Sequence, residues 1–297
     1  MMLAALRQSR LAFRRGKRSV SDAAEAVRTR ALGFSLPDRI EALRPPPNAL
    51  GLDAFGFDPS LASRVLSVGA LVYRHYFRVT TVGLENVPQG PVILAANHGG
   101  QLPFDGLMVG LALALDAEPP RLVRSAVDRF VATLPYLSAL FARAGQFVGH
   151  PDNARLLLER GEAVLVFPEG AAGMLKPFRN RYRLQPFGRG FARLAIDCGV
   201  PIVPVAVVGS EEQYVSLGLV RTFFERFDIP GFPIVPQWAL GLWLPLPTRY
   251  TLHFGAPILP EPAVGARGPS PRILAETVRA ALGELLERGL LERTRIF

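Results

Sequence analysis

The residues most suited to chemistry are His98 and Asp105, which stand seven positions apart. An imidazole can take a proton near neutral pH, and a carboxylate that holds its Nδ1–H leaves Nε2 free as the base. On one helix the two side chains would lie roughly 10 Å apart, so only a loop that folds back can join them. The alternative is a helix-capping Asp105 beside a histidine that bonds only to backbone, and this pair alone does not decide between the two.

A short strand and a helix should position this pair. Residues 91–96 have the length and bulk of a buried strand, and Gly99 and Gly100 break the chain after it. The apolar run that follows Asp105 predicts a helix with Asp105 at its N-cap. His98 would then lie at the carboxyl end of a strand, where open α/β sheets place their chemistry.

The rest of the chain alternates apolar strands with helices. This pattern predicts an α/β fold with a mostly parallel central sheet flanked by helices. Residues 201–208 are almost entirely apolar, as in a strand that is buried on both faces. A Pro-rich stretch at 44–59 predicts a division into a basic, helical N-terminal extension, residues 1–60, and one domain at residues 61–297. Helices are also expected at 127–143, around Pro135, and at 270–288.

Three further residues have simple interpretations. Asp58 should open a helix, His75 should lie at the surface or at an interface, and His253, which alternates within a strand, should be structural.

Charge and composition restrict the class of partner. The 297 residues carry a net charge of +9, and residues 1–45 and 170–196 each contribute a net +6. The mean hydropathy of +0.23 is high for a freely soluble protein, and basic patches in such a chain favour a membrane lipid surface. The absence of zinc-finger and RNP-type motifs argues against nucleic acid as a partner. The single cysteine, Cys198, excludes an internal disulfide and is expected in the core.

An uncharged segment, residues 229–247, approaches membrane-spanning length. Its five prolines argue against a helix interior. With Phe232, Trp238 and Trp243 it predicts an apolar loop at a membrane interface, and a loop packed on the protein's own surface is an equal alternative. No signal peptide or spanning segment is predicted. We therefore expect a peripheral or monotopic protein at the cytoplasmic face of a membrane.

Three polar segments follow apolar strands and carry the remaining candidates. The sequence has no nucleophile elbow and no P-loop, and its four scattered histidines and one cysteine offer no metal ligand set, so no metal site is expected. The segments are Asn97-His98…Asp105, Gln146–His150 and Phe167-Pro168-Glu169-Gly170.

In this order, and followed by the strand Val200–Val205, these segments resemble the motif blocks of the glycerolipid acyltransferase family, the PlsC-like lysophospholipid acyltransferases. The blocks span roughly residues 80–255 and do not cover residues 1–60. The resemblance implies transfer of a fatty acyl group from an acyl thioester, either acyl-CoA or acyl carrier protein, to a lipid hydroxyl, with no cofactor. It implies His98 as the general base and Asp105 as the group that orients it.

The resemblance also implies a substrate-binding set around the third block. Glu169 would bind acceptor hydroxyls, with capping or pairing with a nearby arginine as its alternative role. The basic patch at 176–193 would bind CoA phosphates or anionic lipid headgroups. The expected substrate-binding residues are Phe167, Pro168, Glu169, Gly170, His150, Lys176 and Arg179.

The sequence departs from the family pattern in three ways. The spacing from His98 to Asp105 is two residues longer than usual, His150 replaces an arginine of the second block, and Ala171-Ala172 stand where the family often has Thr/Ser-Arg. Both missing arginines are of the kind that would grip a phosphate. We therefore expect a neutral acceptor, such as a mono- or diacylglycerol.

Three other activities stay open. If Lys176 or an arginine near it replaces the positive charge of the missing arginines, the protein would be a lysophosphatidate or lysophospholipid acyltransferase. A thioesterase would use water as the acceptor at the same site. A non-catalytic lipid-binding relative would result if the longer loop kept Asp105 away from His98. Oligomeric state is not predicted.

Overall fold

A seven-stranded sheet forms the centre of the molecule. The structure is a computed structural model that describes Arg39, Leu43 and residues 51–220, 232–262 and 268–297. The sheet strands are β1 (Thr80–Val82), β2 (Val92–Ala96), β3 (Val123–Val127), β4 (Phe147–Val148), β5 (Ala163–Val166), β6 (Ile202–Val208) and β9 (Thr251–Phe254), and a separate hairpin-like pair consists of β7 (Gly218–Val220) and β8 (Phe232–Ile234).

The strand order is β1-β9-β6-β2-β5-β3-β4. Strands β6, β2, β5, β3 and β4 are parallel to one another, whereas β9 is antiparallel to β6 and parallel to β1. The predicted mostly parallel sheet is therefore confirmed. Because β2 lies between β5 and β6, the loops that follow these three strands meet at one edge of the sheet.

Helices cover both faces of this sheet. Among the described residues, no helix combines the length and the hydrophobicity that a membrane crossing needs. The helices are α1 (Pro59–Leu71), α2 (Phe104–Leu115), α3 (Leu137–Arg143), α4 (Pro151–Glu159), α5 (Ala171–Met174), α6 (Gly190–Cys198), α7 (Pro236–Ala239) and α8 (Pro271–Glu292), with a π-helical turn at Val72–Tyr76 and 3-10 turns at Leu84–Asn86, Arg129–Thr133, Phe178–Asn180 and Ser210–Glu212.

Alternate side chains of β2 belong to two different cores. Leu94 packs in a core with residues of α1 and α2, while Ile93 packs in a second core with residues of α4, α6 and α8. All five β2 residues and all seven β6 residues are buried. Two covered faces explain why the sequence of both strands is continuously apolar.

Two predicted helix boundaries are wrong. Helix α2 begins at Phe104 with Pro103 at its N-cap, so Asp105 lies inside the first turn and is not the N-cap residue. The segment expected as one helix at 127–143 divides into a 3-10 turn and α3, and Tyr136 between them has a φ of +63°. Both errors arise near a proline, where the backbone leaves the local helical pattern.

Three residues outside the site lie as the sequence indicated. Cys198 is partly buried against the second core, and burial raises the pKa of its thiol. His75 is exposed, whereas His253 on β9 is buried. These placements agree with a core thiol, a surface histidine and a structural histidine.

Parts of two predicted segments lie outside the described residues. They are 1–38, 40–42 and 44–50 of the N-terminal extension and 221–231, which overlap the start of the apolar loop. The described end of the extension packs on the sheet, where Asp53 forms a buried ion pair with Arg124 of β3. Asp58 caps α1 as expected, because its carboxylate accepts from the backbone N–H groups of Ser60 and Leu61.

Candidate active site

The side chain of Asn97 fixes the point where the chain leaves β2. Its amide donates to the carbonyl of Val207 at 3.0 Å and accepts from the backbone N–H of Val207 at 2.7 Å. Asn97 is fully buried, so its side chain continues the pairing between β2 and β6 for one more step. This pairing determines where the next residue, His98, emerges from the sheet edge.

The loop after His98 doubles back and brings Asp105 to its ring. The Nδ1 atom of His98 lies 2.6 Å from Oδ2 of Asp105. Gly100 and Gln101 allow the reversal, with φ angles of +89° and +64°. The longer spacing is thus compatible with a His–Asp pair, and the two-residue excess forms the bulge between Gly99 and Pro103.

Asp105 is held as an acceptor by its surroundings. Its carboxylate is fully buried and also accepts from the backbone N–H groups of Gly99 at 3.0 Å and Gly106 at 2.7 Å. An ionised carboxylate only accepts, so Nδ1 of His98 carries the proton and donates it to Asp105. The other ring nitrogen, Nε2, is then the one left to accept a proton from a substrate.

The ring of His98 is also fixed on one face. It stacks on the ring of Phe167 with a centroid distance of 4.0 Å and an angle of 20° between the planes. Gly106 lies beneath Phe167, since a Cβ there would lie 3.4 Å from Cζ of that ring. The aromatic residue of the third block therefore positions the histidine of the first block.

His98 lines a cavity of about 380 Å³, which we call the His98 cavity. Phe167, Pro168 and Gly170 line it as well, next to the described ends of β3, β4 and the starts of α4 and α6. Its lining within the described chain contains Asp128, His98 and His150 as titratable groups, and it contains no lysine or arginine. Most of the other lining residues are apolar or glycine, as in sites that hold apolar ligands.

Glu169 has a bracing role, because its carboxylate joins the turn after β5 to the chain just after β2. One carboxylate oxygen accepts from the backbone N–H of His98 at 3.0 Å, and the other accepts from the backbone N–H of Gln185 at 2.7 Å. The ammonium of Lys176 lies 3.5 Å from the second oxygen. Glu169 is 5% exposed. This placement favours the bracing role over the predicted contact with acceptor hydroxyls.

The two basic candidates have different surroundings. Lys176 is buried, and its ammonium donates to Glu211 at 3.0 Å and to the carbonyl of Arg183 at 3.3 Å. This placement favours an internal ion pair over the predicted substrate contact. Arg179 is exposed and lines a neighbouring groove of about 610 Å³, which shares Ala171 with the His98 cavity.

His150 follows β4, which β5 and β3 separate from β2 in the sheet, and it lines the His98 cavity. It caps α4, and its Nδ1 accepts from the backbone N–H of Asp152 at 3.3 Å. Its side chain is 45% exposed. The structure therefore brings His98 and His150 to one cavity, together with the Phe167–Gly170 turn.

Sequence reasoning missed the segment after β6. Glu211 and Gln213 are buried directly beneath the loop that follows His98. A Cβ on Gly99 would lie 2.2 Å from Cγ of Glu211, and one on Gly100 would lie 2.1 Å from Nε2 of Gln213. The available signal was a polar run directly after a buried strand, at the same sheet edge as His98.

Glu211 forms part of a buried charged cluster with Lys176 and Glu169. Burial raises the pKa of Glu211 to about 7, and the Lys176 ammonium opposes this shift. The backbone N–H of Tyr182 donates to the second oxygen of Glu211 at 3.0 Å. The cluster thus connects the loop after β6 with the segment that follows α5.

Comparisons with known proteins agree with this architecture. A family model described as "Acyltransferase" matches residues 78–208, which run from just before β1 to the end of β6. The crystal structure of the 1-acyl-sn-glycerophosphate (LPA) acyltransferase PlsC from Thermotoga maritima aligns with a TM-score of 0.50 and 21% identity, covering 79% of this chain and 81% of that one. This likeness supports the fold.

Sequence relatives extend beyond that segment. An uncharacterized protein of Mycobacterium leprae is 38% identical over 256 residues, covering 83% of this chain and 70% of the relative. A Gallus gallus protein named "DGAT1/2-independent enzyme synthesizing storage lipids" is 27% identical over 206 residues, covering 69% of this chain and 58% of the relative. The family model, these relatives and the shared fold establish that the chain belongs to the acyltransferase family and is an acyltransferase.

Proposed function

We propose that this acyltransferase moves a fatty acyl group from an acyl thioester to the hydroxyl of a non-phosphorylated glycerolipid. The observation that carries the proposal is the His98 cavity, which has the His98–Asp105 pair at one end and no lysine or arginine in its described lining. A phosphorylated acceptor would need a cation there.

The proposed mechanism is general-base catalysis. Nε2 of His98 removes the proton of the acceptor hydroxyl while its oxygen attacks the thioester carbonyl carbon, and Asp105 stabilises the resulting imidazolium. The tetrahedral intermediate then collapses, the carbon–sulfur bond breaks, and His98 returns the proton to the departing thiolate. The products are an ester and a free thiol, and no covalent enzyme intermediate forms.

Five exposed arginines support acyl-CoA as the donor. Unlike the buried Lys176, they can contact the phosphates of CoA from solvent. They are Arg179, Arg181, Arg183, Arg189 and Arg193.

The relative named for storage lipids supports the neutral acceptor independently of the cavity. Its printed description concerns lipids that are stored, and the present chain resembles it over 69% of its length. The chain spans 58% of that relative, so the acceptor is carried over here as a proposal.

A membrane surface is the proposed partner, and an exposed group of apolar side chains supports it. Leu240, Leu242, Trp243 and Leu244 are 58% to 77% exposed, and we call these four residues the apolar patch. Trp238 stacks on Trp243 at 5.6 Å between centroids, which orders the patch from beneath. Exposed Trp and Leu side chains are typical of protein surfaces that insert into the bilayer interface.

A product assay with labelled acyl-CoA tests the proposed function. Purified protein is given a diacylglycerol, a monoacylglycerol, lysophosphatidate, or no lipid acceptor, each in the same detergent or vesicle background. We expect labelled glycerides to be the main products. Faster labelling of lysophosphatidate would contradict the neutral acceptor, and release of free fatty acid at an equal rate without acceptor would identify a thioesterase.

A further inference from the structure

The bulge between His98 and Asp105 needs support that its own sequence does not provide. Two consecutive residues, Gly100 and Gln101, have left-handed backbone conformations, with φ angles of +89° and +64°. A side chain such as that of Gln101 rarely adopts this conformation unless its surroundings enforce it. The bulge makes a short turn of its own, in which the Leu102 N–H donates to the Gly100 carbonyl at 2.7 Å. The side of the loop that faces the protein interior must form its hydrogen bonds with other parts of the chain.

Gln213 provides hydrogen bonds on this interior side of the bulge. Its Nε2 donates to the carbonyl of Gly100 at 2.8 Å and lies 3.4 Å from the carbonyl of Leu102. The side chain is fully buried. Both carbonyls belong to the bulge, so one amide group contacts it on either side of Gln101.

The orientation of this amide is fixed by Tyr250. The phenol of Tyr250 donates to Oε1 of Gln213 at 2.7 Å, and both side chains are fully buried. Burial raises the pKa of the Tyr250 phenol well above its usual value, so it stays a donor at all ordinary pH values. A donor at Oε1 requires the NH₂ group to face the bulge.

We propose that Gln213 is a positioning residue for the His98–Asp105 pair and that it acts through the bulge. This inference rests on the proposed role of His98 as the base. The short contact between Nδ1 and Oδ2, 2.6 Å, depends on the backbone on both sides of the bulge. Without the Gln213 amide, the Gly100 carbonyl keeps only the Leu102 N–H as a donor and the bulge relaxes, which moves Asp105 relative to the ring.

The test uses Gln213→Met, which keeps the length of the side chain and removes its donors. Steady-state acyl transfer is measured for the wild type, Gln213→Met, His98→Ala and the double variant. We expect Gln213→Met to lower kcat by about 10²-fold, as a misplaced catalytic group does, with KM changed less than about threefold. In the His98→Ala background the same substitution should have no further effect, because no base remains to be positioned.

Two further variants keep the test decisive. Tyr250→Phe removes the donor that orients the amide and should lower kcat in the same direction even if Gln213→Met does not fold. Thr248→Val is the matched control, since Thr248 is fully buried and bonds to the Gly209 carbonyl at 2.9 Å without touching the bulge. Its kcat should stay at the wild-type value.

The outcomes separate this inference from the proposed function. Wild-type kcat in both Gln213→Met and Tyr250→Phe, with His98→Ala inactive, would overturn the positioning role and leave the base assignment in place. An equal further loss in the His98→Ala background would show a merely structural effect and would also overturn it. Wild-type activity of His98→Ala would overturn the base assignment itself.

Discussion

At the scale of single residues, His98 has partners on one ring nitrogen and on one ring face. Asp105 takes the Nδ1 proton, and Phe167 stacks on the ring at 4.0 Å. Each contact removes a rotation that would otherwise misdirect Nε2. His98 and Phe167 follow the neighbouring strands β2 and β5, and Asp105 lies in the first turn of α2, so the fold brings together residues that are separate in the sequence.

Replacing the base should abolish turnover without unfolding the protein. We expect His98→Ala to lower kcat by about 10³-fold or more, because the variant lacks the proposed base that takes the hydroxyl proton. The assay is transfer from labelled acyl-CoA, with the melting temperature recorded for each variant. His75→Ala is the control, since His75 is exposed and distant in sequence, and it should keep wild-type kcat.

The sequence predicted the His98–Asp105 pair but not the residues that hold it in place. His98 and Asp105 could be proposed because their types and the apolar strand before them are local features. Gln213 could not, because 113 positions separate it from the Gly100 carbonyl that it binds. A contact over such a distance depends on strand order, which no local pattern contains.

At the scale of elements, the bulge after β2 and the turn after β6 fit closely against each other. A Cβ at position 100 would come within 2.1 Å of Nε2 of Gln213 and 2.4 Å of the Ser210 carbonyl. The left-handed φ of Gly100 adds to this restriction. Position 100 therefore requires glycine for two reasons. A side chain would collide with Gln213 and Ser210, and the backbone has a left-handed conformation.

Gly100→Ala should destabilise the fold and reduce transfer together. The left-handed conformation alone costs an alanine about 1–2 kcal/mol, and the contact with the Ser210 backbone adds to that cost. Urea denaturation measures the free energy of unfolding. Gly110→Ala, in α2 with open space around its Cβ, is the control and should be neutral or stabilising. Equal stability of the two variants would contradict this account of the bulge.

The packing of α8 on β9 gives the stability a dependence on pH. His253 is 1% exposed, and neither ring nitrogen has a hydrogen-bond partner in the described chain. Burial lowers the pKa of His253 below its usual value of 6.5, with Glu292 opposing and Arg288 reinforcing the shift. Below pH 6.5 the unfolded chain binds a proton that the folded chain resists, so stability should decrease as the pH falls.

His253→Leu should reduce this dependence. Between pH 7 and pH 5 the wild type should lose at most about 1.4 kcal/mol of unfolding free energy per pH unit from this group, and the variant should lack that contribution. Denaturation curves at several pH values measure it. His75→Leu serves as the control, and an unchanged slope in His253→Leu would show that another group causes the acid sensitivity.

The element order was largely predictable and the register was not. Strand β6 is apolar throughout because both of its faces are covered, and that property is visible in the sequence. The antiparallel placement of β9 beside β6 has no local signal. The start of α2 at Phe104 was missed because Asp105 resembles a cap while its carboxylate actually binds His98 and Gly99.

At the scale of the whole molecule, one segment after β6 contacts both the bulge and the apolar patch. Gln213 binds the bulge through its side chain, and its carbonyl accepts from the N–H of Leu246 at 2.9 Å. The next residue, Tyr214, donates its phenol to the carbonyl of Trp243 at 2.7 Å. The proposed membrane contact and the proposed catalytic pair are therefore attached to the same short piece of chain.

Removing apolar side chains from the patch should weaken binding to lipid vesicles. We expect the double variant Leu240→Ser, Leu244→Ser to show about tenfold lower co-sedimentation with phosphatidylglycerol-containing vesicles. The reason is that each leucine contributes roughly 1.5–3 kcal/mol when fully buried and only part of that in an interface. Leu291→Ser is the matched control, because Leu291 is 86% exposed on α8.

The two tryptophans of the chain provide a second readout. Both Trp238 and Trp243 lie at the patch, so their fluorescence should shift to shorter wavelengths when vesicles are added. Unchanged emission, or equal binding of the double variant and the control, would contradict a membrane-facing patch.

The central claim, a neutral acceptor, is tested most directly by competition. Equimolar diacylglycerol and lysophosphatidate are supplied in the same vesicles with labelled acyl-CoA, and the ratio of the two products gives the ratio of their kcat/KM values. Ala171→Arg, which places a cation in the lining of the His98 cavity, is the matched variant and should shift the ratio toward the phosphorylated product. For the wild type we predict an excess of triacylglycerol, and an excess of phosphatidate would contradict the account.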